Sequence, residues 1–398
     1  MNKNRRNIFL AIILTFIMTV SLFSFVSCGL VNVTFNNHAN STSIDGKLAE
    51  INSFIDDYAI MPFDKEEALS NAIFFYVASL EDPYCSYMDA DEYATYLEEL
   101  SGSFTGIGVN VITTSEILEN GLLIYRVIGN SPAELAGLKN GDIIIEADGV
   151  SFINYPYEDA VDLMLDELGT TINLVVDRNG ERLEFNIVRQ NFTKRLVDYE
   201  IIENLGYVTV YQFEAAALDQ FKAALNELEK AGVKGYIFDM RNNPGGELNT
   251  VKNMVDLLVP KDEIVVLQYK DYESSLYASD NDYIEKPCVV LINGESASAA
   301  ELFSSALRDI RGSKLIGEQT FGKGVGQTSF SLSDGSALKF TTFRYVTKSR
   351  YNYDGIGLEP DYVVELPLED TVYYYCMSRS DDTQLAKAIQ VLGEEIEK

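Results

Sequence analysis

The chain has 398 residues, of which 46% are hydrophobic and 23% charged, a balance typical of a globular protein large enough for two or three domains. It carries 61 Asp and Glu against 31 Lys and Arg, and a field of that sign repels phosphate backbones, which excludes nucleic acid as an expected partner. Its one histidine is His38 and its four cysteines form no C-x-x-C pair, so we expect no histidine-based triad, metal site, redox motif or cofactor.

The first residues have the composition of an export signal. Three basic residues among the first six precede an uncharged apolar run of 19 residues over 8–26. The run ends at Phe25-Val26-Ser27-Cys28-Gly29, which resembles a bacterial lipobox with Cys28 as the lipidated residue. Residues 1–28 are thus predicted to be a signal peptide or membrane anchor. A lipoprotein, an uncleaved anchor and a secreted protein all remain open, and each places the body outside the cytoplasm.

A tether and helices are predicted next. Residues 29–45 are rich in Asn, Ser and Thr and predict a flexible tether, whereas apolar residues at helical spacing predict a helical region over 46–100. Asp64 with Glu67, and Asp89 with Glu92, have the spacing of capping boxes before two helices. The apolar faces of these helices are expected to pack on the body or on a second subunit, which leaves a homodimer open.

Residues 101–190 contain two strings that resemble a PDZ domain. The first is Phe104-Thr105-Gly106-Ile107-Gly108, and the second is the SPA…AGL…GD.I pattern that begins at Ser131 and ends at Ile144. The resemblance implies a β-rich domain with two helices, the second over 157–168, that binds the C-terminus of a peptide. It places the carboxylate-binding loop at Gly106, Ile107 and Gly108, although this loop by itself is also compatible with a plain tight turn.

From residue 207 the strand and helix patterns alternate, which predicts an α/β body, and after 315 they change to a hairpin with Asp334-Gly335 as its turn. Three strings lie at ends of predicted strands. They are Asp239-Met240-Arg241-Asn242-Asn243-Pro244-Gly245-Gly246, Asn293-Gly294-Glu295-Ser296-Ala297-Ser298-Ala299-Ala300-Glu301 and Phe321-Gly322-Lys323-Gly324-Val325-Gly326-Gln327. Glycines in the first string can direct N–H groups to one point, and Ser298 begins a predicted helix whose dipole favours negative charge on its hydroxyl.

Together these strings resemble the S41 family of C-terminal processing peptidases, which carry D.R.NPGG, N..SAS..E and FGKG..Q. Lys323 follows Ser298 by 25 residues and Gln327 follows Lys323 by four, as in that family. The resemblance implies an α/β serine-protease core of the crotonase-like or ClpP-like type with added β-hairpins over 191–370. It extends to about Leu366, and residues 371–398 are separately predicted to form a C-terminal helical tail. It also implies that Ser298 is the nucleophile, Lys323 the base and Gln327 the third member, with an oxyanion hole formed by the N–H groups of Gly245 and Ala299.

A lysine base needs a lowered pKa. An ordinary lysine, with a pKa of about 10.4, is neutral only about 0.04% of the time at pH 7, and lowering the pKa to about 8 costs roughly 3 kcal/mol, which burial can supply. We expect Phe321 and Val325 to exclude water from Lys323. Without a histidine in the body, the base must be a lysine or a carboxylate.

The predicted function is that of a cell-envelope serine endopeptidase that binds the C-termini of unfolded or tail-exposed proteins and cuts them through an acyl-enzyme. The sequence also admits four other interpretations. In the first, Ser298 is a plain N-cap. In the second, Gly317 to Lys323 forms a phosphate-binding loop, but the match fails because Gly324 replaces the Ser or Thr that would bind magnesium and because strands follow instead of a helix. The remaining alternatives are a PDZ scaffold without catalysis and a ligand-binding relative of the fold, as in retinoid-binding proteins.

Overall fold

The computed structural model describes residues 43–100, 103–112, 120–165, 167–367 and 374–398. The predicted signal or anchor with Cys28, and the tether up to residue 42, lie outside these residues. The chain divides after Leu69 into two compact units. Among the described helices, none combines the length and hydropathy that crossing a membrane requires.

In the first unit, helix α1 (Ile44–Tyr58) begins inside the predicted tether, so the tether prediction over 29–45 is too long at its C-terminal end. The reason is a local cap: the Ser43 hydroxyl accepts a hydrogen bond from the Gly46 N–H at 3.2 Å. Helix α2 (Lys65–Ala78) follows, and the Asp64 carboxylate accepts hydrogen bonds from the first amides of that helix.

The second unit continues with strand β1 (Ser86–Met88) and helix α3 (Ala90–Leu100). The capping box predicted for α3 is present. The Asp89 carboxylate accepts from the Glu92 N–H at 2.8 Å, and the Glu92 carboxylate accepts from the Asp89 N–H at 2.9 Å. This local pattern therefore sets the start of α3.

The region predicted to be a PDZ domain forms an antiparallel sheet with two helices. Its elements are β2 (Ser103–Gly106), β3 (Val109–Ile112), β4 (Leu122–Val127), α4 (Pro132–Ala136), β5 (Ile143–Ala147), β6 (Val150–Ser151), α5 (Tyr157–Met164), β7 (Thr171–Arg178), β8 (Glu181–Val188) and β9 (Gln190–Thr193). The sheet order is β3-β4-β5-β7-β8, with β6 paired to β5 and β2 paired to β9.

Two predictions for this region need correction. Helix α5 ends at Met164 rather than at 168, because Leu165 is extended and its N–H closes the last turn on the carbonyls of Val161 and Asp162. The antiparallel pair of β2 and β9 extends the region to Thr193, past the predicted boundary at 190.

The α/β body begins directly afterwards. Its elements are β10 (Val197–Ile202), β11 (Leu205–Val210), α6 (Ala215–Ala231), β12 (Tyr236–Asp239), α7 (Leu248–Asp256), β13 (Glu263–Tyr269), β14 (Glu273–Tyr277), β15 (Cys288–Ile292), α8 (Ala299–Arg311), β16 (Lys314–Gly317), β17 (Val325–Ser331), β18 (Ala337–Thr347), β19 (Tyr362–Val363), a 3-10 turn (Tyr374–Cys376) and α9 (Thr383–Ile396). The central sheet has the order β10-β11-β12-β15-β16-β19, in which β10 is antiparallel to β11 and the following pairs are parallel.

Both faces of this sheet are covered by helices. Because side chains alternate along a strand, Phe238 and Val290 pack under α6, α7 and α8, while Ile237 and Val289 pack under α9. Helix α9 thus belongs to the core, and the predicted separate tail over 371–398 needs correction to that extent. Buried Arg241 pairs with Asp382 at 2.8 Å and with Asp239, which joins the C-terminal segment to the end of β12.

A second sheet supplies one wall of the site. Its order is β1-β18-β13-β14, with β17 paired to β18. The hairpin of β17 and β18 turns at Asp334-Gly335 as predicted. This sheet places β17 and β18 beside the carboxyl ends of β12 and β15, where the three strings lie.

Candidate active site

Ser298 lies in a sharp turn between β15 and α8. Its backbone has φ 54° and ψ −112°, a conformation that costs energy for a residue other than glycine. The side chain is buried, with 7% of the residue exposed. Gly245 packs directly against it, since a Cβ added there would lie 2.8 Å from the Ser298 Cβ and 3.0 Å from the Ala299 nitrogen. The first string therefore needs glycine at 245 because of this close approach.

The buried carboxylate of Glu301 joins the serine turn to the lysine turn. Its Oε2 accepts hydrogen bonds from the N–H groups of Ser298 and Lys323, each at 2.8 Å. Its Oε1 accepts from the Gly322 N–H at 2.8 Å and from the Thr320 hydroxyl at 2.5 Å. Burial raises the pKa of Glu301, and these hydrogen bonds oppose the rise. The sequence analysis assigned Glu301 no role, although its spacing of three residues from Ser298 is that of a capping box.

The Lys323 ammonium is partly buried, and its pKa lies below the ordinary value for a lysine. Burial lowers the pKa of its ammonium, the positive charge of Lys339 lowers it further, and Asp82 acts in the opposite direction. Of the two expected neighbours, Val325 is buried and Phe321 is 56% exposed, and the exclusion of water by these two side chains stays a prediction. The aromatic group that does contact the ammonium is Tyr84, whose ring centroid is 4.4 Å from Nζ. Sequence reasoning missed Tyr84 because it comes from a distant part of the chain.

The three predicted catalytic residues line one cavity of about 630 Å³. Gln327 lies on β17, and its side-chain amide donates a hydrogen bond to the Thr341 hydroxyl at 3.1 Å. Tyr345 of β18 also lines the cavity; burial raises its pKa to about 12, while a hydrogen bond with the Ser298 side chain acts in the opposite direction. The fold thus brings Ser298, Lys323 and Gln327 to a common space.

The catalytic groups have other partners in this structure. Among the contacts of the described residues there is no hydrogen bond between the Ser298 side chain and the Lys323 ammonium. The N–H of Gly245, predicted for the oxyanion hole, donates to the Asn243 side-chain carbonyl at 2.8 Å. Transfer of a proton from Ser298 to Lys323 therefore requires a rearrangement.

The loop predicted to bind a peptide carboxylate packs against helix α4. Gly108 has φ 84°, and a Cβ there would come within 2.2 Å of the Ser131 Cβ. The Ile107 carbonyl accepts a hydrogen bond from the Ala133 N–H at 2.8 Å. Ser131 caps α4 and Gly137 ends it with φ 95°, as the sequence indicated. The loop thus has a defined backbone, and carboxylate binding by Gly106, Ile107 and Gly108 stays a prediction.

Comparison with protein-family models matches residues 204–364 to peptidase family S41 and residues 123–178 to a PDZ domain. A carboxy-terminal-processing protease of Bartonella bacilliformis is 34% identical, and the match covers 87% of this chain and 82% of the relative. A probable CtpA-like serine protease of Staphylococcus haemolyticus is 33% identical over 79% of this chain, and the chain spans 64% of that relative's length.

A solved structure, the photosystem II D1 C-terminal processing protease, is similar in fold. The TM-score is 0.54 at 27% sequence identity, and the match covers 86% of this chain and 93% of that one. Over most of its length the chain therefore has a fold similar to that of a protease named for processing C-termini.

Proposed function

This chain belongs to peptidase family S41, and on that premise we propose that it is a serine endopeptidase that hydrolyses peptide bonds with a Ser298–Lys323 dyad. The observation that carries the proposal is that both residues line one cavity while a single carboxylate, that of Glu301, binds the backbone N–H of each. The lowered pKa of Lys323 supports its role as the base.

The mechanism follows from the roles of these groups. Neutral Lys323 takes the proton of the Ser298 hydroxyl, and Oγ attacks the scissile carbonyl carbon to form a tetrahedral intermediate. The ammonium then gives its proton to the leaving amine, and the acyl-enzyme forms. Water, deprotonated by Lys323, hydrolyses the acyl-enzyme and regenerates Ser298. Gln327 orients the lysine amine in this scheme.

Substrate binding must first change three contacts. Lys323 has to leave the face of Tyr84, and Ser298 has to exchange Tyr345 for Lys323. The Asn243 side chain has to release the Gly245 N–H, which then stabilises the oxyanion together with the Ala299 N–H. In this proposal the structure is a resting state.

The substrates that we propose are unfolded or tail-exposed proteins whose C-termini bind the PDZ domain. The support is the defined loop at Gly106–Ile107–Gly108 and the neighbouring strand β3, whose edge can pair with an added peptide strand. We further propose that the enzyme works in the cell envelope, held at the membrane through Cys28 or the apolar segment, and that it forms a homodimer through its N-terminal helices.

Digestion of a disordered peptide by wild type, Ser298→Ala and Lys323→Ala, followed by mass spectrometry, tests the dyad. We expect cleavage by wild type and its loss in both variants. Ser305→Ala is a control because, among the described residues, the hydroxyl of Ser305 bonds only the Leu302 carbonyl of its own helix. Undiminished turnover by Ser298→Ala would refute the proposal. Amidation of the peptide's C-terminus should slow cleavage, and indifference to amidation would contradict tail recognition.

A further inference from the structure

We propose that Glu214 is a specificity-determining residue: one of its carboxylate oxygens accepts a hydrogen bond from a neutral donor side chain of the substrate near the scissile bond. The inference rests on the proposed peptidase function. It concerns a residue that is neither part of the dyad nor of the predicted oxyanion hole, yet lines the same cavity as Ser298.

The backbone next to Glu214 braces the glycine loop beside the nucleophile. The N–H of Phe213 donates to the Gly245 carbonyl at 2.9 Å, and the Phe213 carbonyl accepts from the Glu247 N–H at 2.7 Å. Gly245 in turn packs against Ser298. Since Glu214 directly follows Phe213, its side chain enters the cavity beside the loop that would hold the scissile carbonyl.

The Glu214 side chain has an unsatisfied oxygen. It is only 9% exposed, and its Oε1 accepts a hydrogen bond from the Lys194 ammonium at 2.9 Å. Its Oε2 is buried without a hydrogen-bond partner among the described residues. A buried acceptor left unpaired costs about 1–3 kcal/mol, and more when it is charged, so such an atom in a substrate cavity points to a donor on the ligand.

Apart from the ion pair with Lys194, the part of the chain that the structure describes shows no other use of this side chain. Glu214 occupies the N-cap position of α6, but its side chain makes no cap hydrogen bond with that helix. The other carboxylate of the cavity differs, because Glu247 accepts a hydrogen bond from the Thr250 hydroxyl at 2.9 Å. Glu247 is therefore a matched control.

The charges of the cavity decide the chemistry of the donor. Lys194 already balances the charge of Glu214, while Lys339 adds positive charge to the same cavity, as does Lys323 whenever its amine is protonated. A substrate lysine or arginine would be repelled by these two, whereas a hydroxyl or carboxamide donor would not. We therefore assign the preference to Ser, Thr, Asn or Gln at one position near the cleaved bond.

Peptides that differ only by Thr or Val at a single position test this assignment, because the two side chains have the same shape. For wild type we expect kcat/KM to favour Thr at one position by roughly ten-fold or more, the size of one hydrogen bond to a charged group. Glu214→Ala should abolish that ratio, and Glu247→Gln should keep it. Glu214→Leu, whose side chain offers neither an acceptor nor a donor, should also lose it and serves if the alanine variant does not fold.

A Thr/Val ratio that Glu214→Ala leaves unchanged at every position would overturn the inference, as would a wild-type preference for Lys over Thr. Failure of the proposed function gives a different result, namely no cleavage of any peptide by wild type. In that case calorimetric binding of the Thr and Val peptides to Ser298→Ala, with and without Glu214→Ala, still decides the role of Glu214.

Discussion

Replacing Glu301 by glutamine should loosen both catalytic turns at once. The two carboxylate oxygens accept hydrogen bonds from four donors, two on each oxygen. A glutamine side chain has one oxygen and one NH₂ group, so in either orientation the NH₂ faces two donors. The Thr320 hydroxyl can turn to accept, which favours the orientation with NH₂ toward Thr320 and leaves the Gly322 N–H without an acceptor.

The expected cost follows from these contacts. In Glu301→Gln the hydrogen bond of the Gly322 N–H to a charged group is lost, at about 1.5–3 kcal/mol, and that of Thr320 becomes a neutral one, at about 1–1.5 kcal/mol less, roughly 2.5–4.5 kcal/mol in all. Removal of a buried charge offsets part of this loss, so we expect the free energy of unfolding to fall by about 2–4 kcal/mol. Because the Lys323 turn loses a fixed anchor, we also expect kcat/KM to fall by more than about ten-fold.

Urea unfolding and peptide kinetics measure the two effects. Ser304→Ala is the control, since Ser304 is buried one turn along the same helix and its hydroxyl bonds only the Ala300 carbonyl within the described parts of the chain. The free energy of unfolding of Ser304→Ala should fall by about 1 kcal/mol or less, and its kcat/KM should equal that of wild type. If Glu301→Gln were as stable and as active as Ser304→Ala, the view that this carboxylate holds the two turns together would be wrong.

Three further predictions concern the base and the glycine loop. Lys339→Gln removes a positive charge that lowers the pKa of Lys323, so the pKa should rise and the ascending limb of kcat/KM should move to higher pH. Asp82→Asn removes the opposing charge and should move that limb to lower pH; a shift of either profile in the other direction would contradict the electrostatic account. Gly245→Ala places a Cβ 2.8 Å from the Ser298 Cβ on a backbone with φ +105°, so we expect both the melting temperature and kcat to fall. Values equal to those of wild type would refute the close packing of Gly245 against Ser298.

Much of the fold could be predicted because its signals are local. The capping pair Asp89–Glu92, the Ser131 cap and the Asp334-Gly335 turn each depend on residues within a few positions, and each occurs where the sequence indicated. The alternation of strands and helices likewise predicted an α/β body. The errors are at boundaries, as at Leu165, where the backbone becomes extended before the apolar pattern ends.

The same difference between local and long-range signals applies to the candidate site. By itself the sequence indicated Ser298, Lys323 and Gln327, since their strings and offsets are legible along the chain, and it indicated that the lysine needs a lowered pKa. Only the tertiary structure decided what surrounds them: Tyr84 on the ammonium, Lys339 as the charge that lowers its pKa, and Glu301 between the two turns. The physical reason is that burial and Coulomb interactions depend on distance in space, and residues far apart in the chain leave no local pattern to show that they meet.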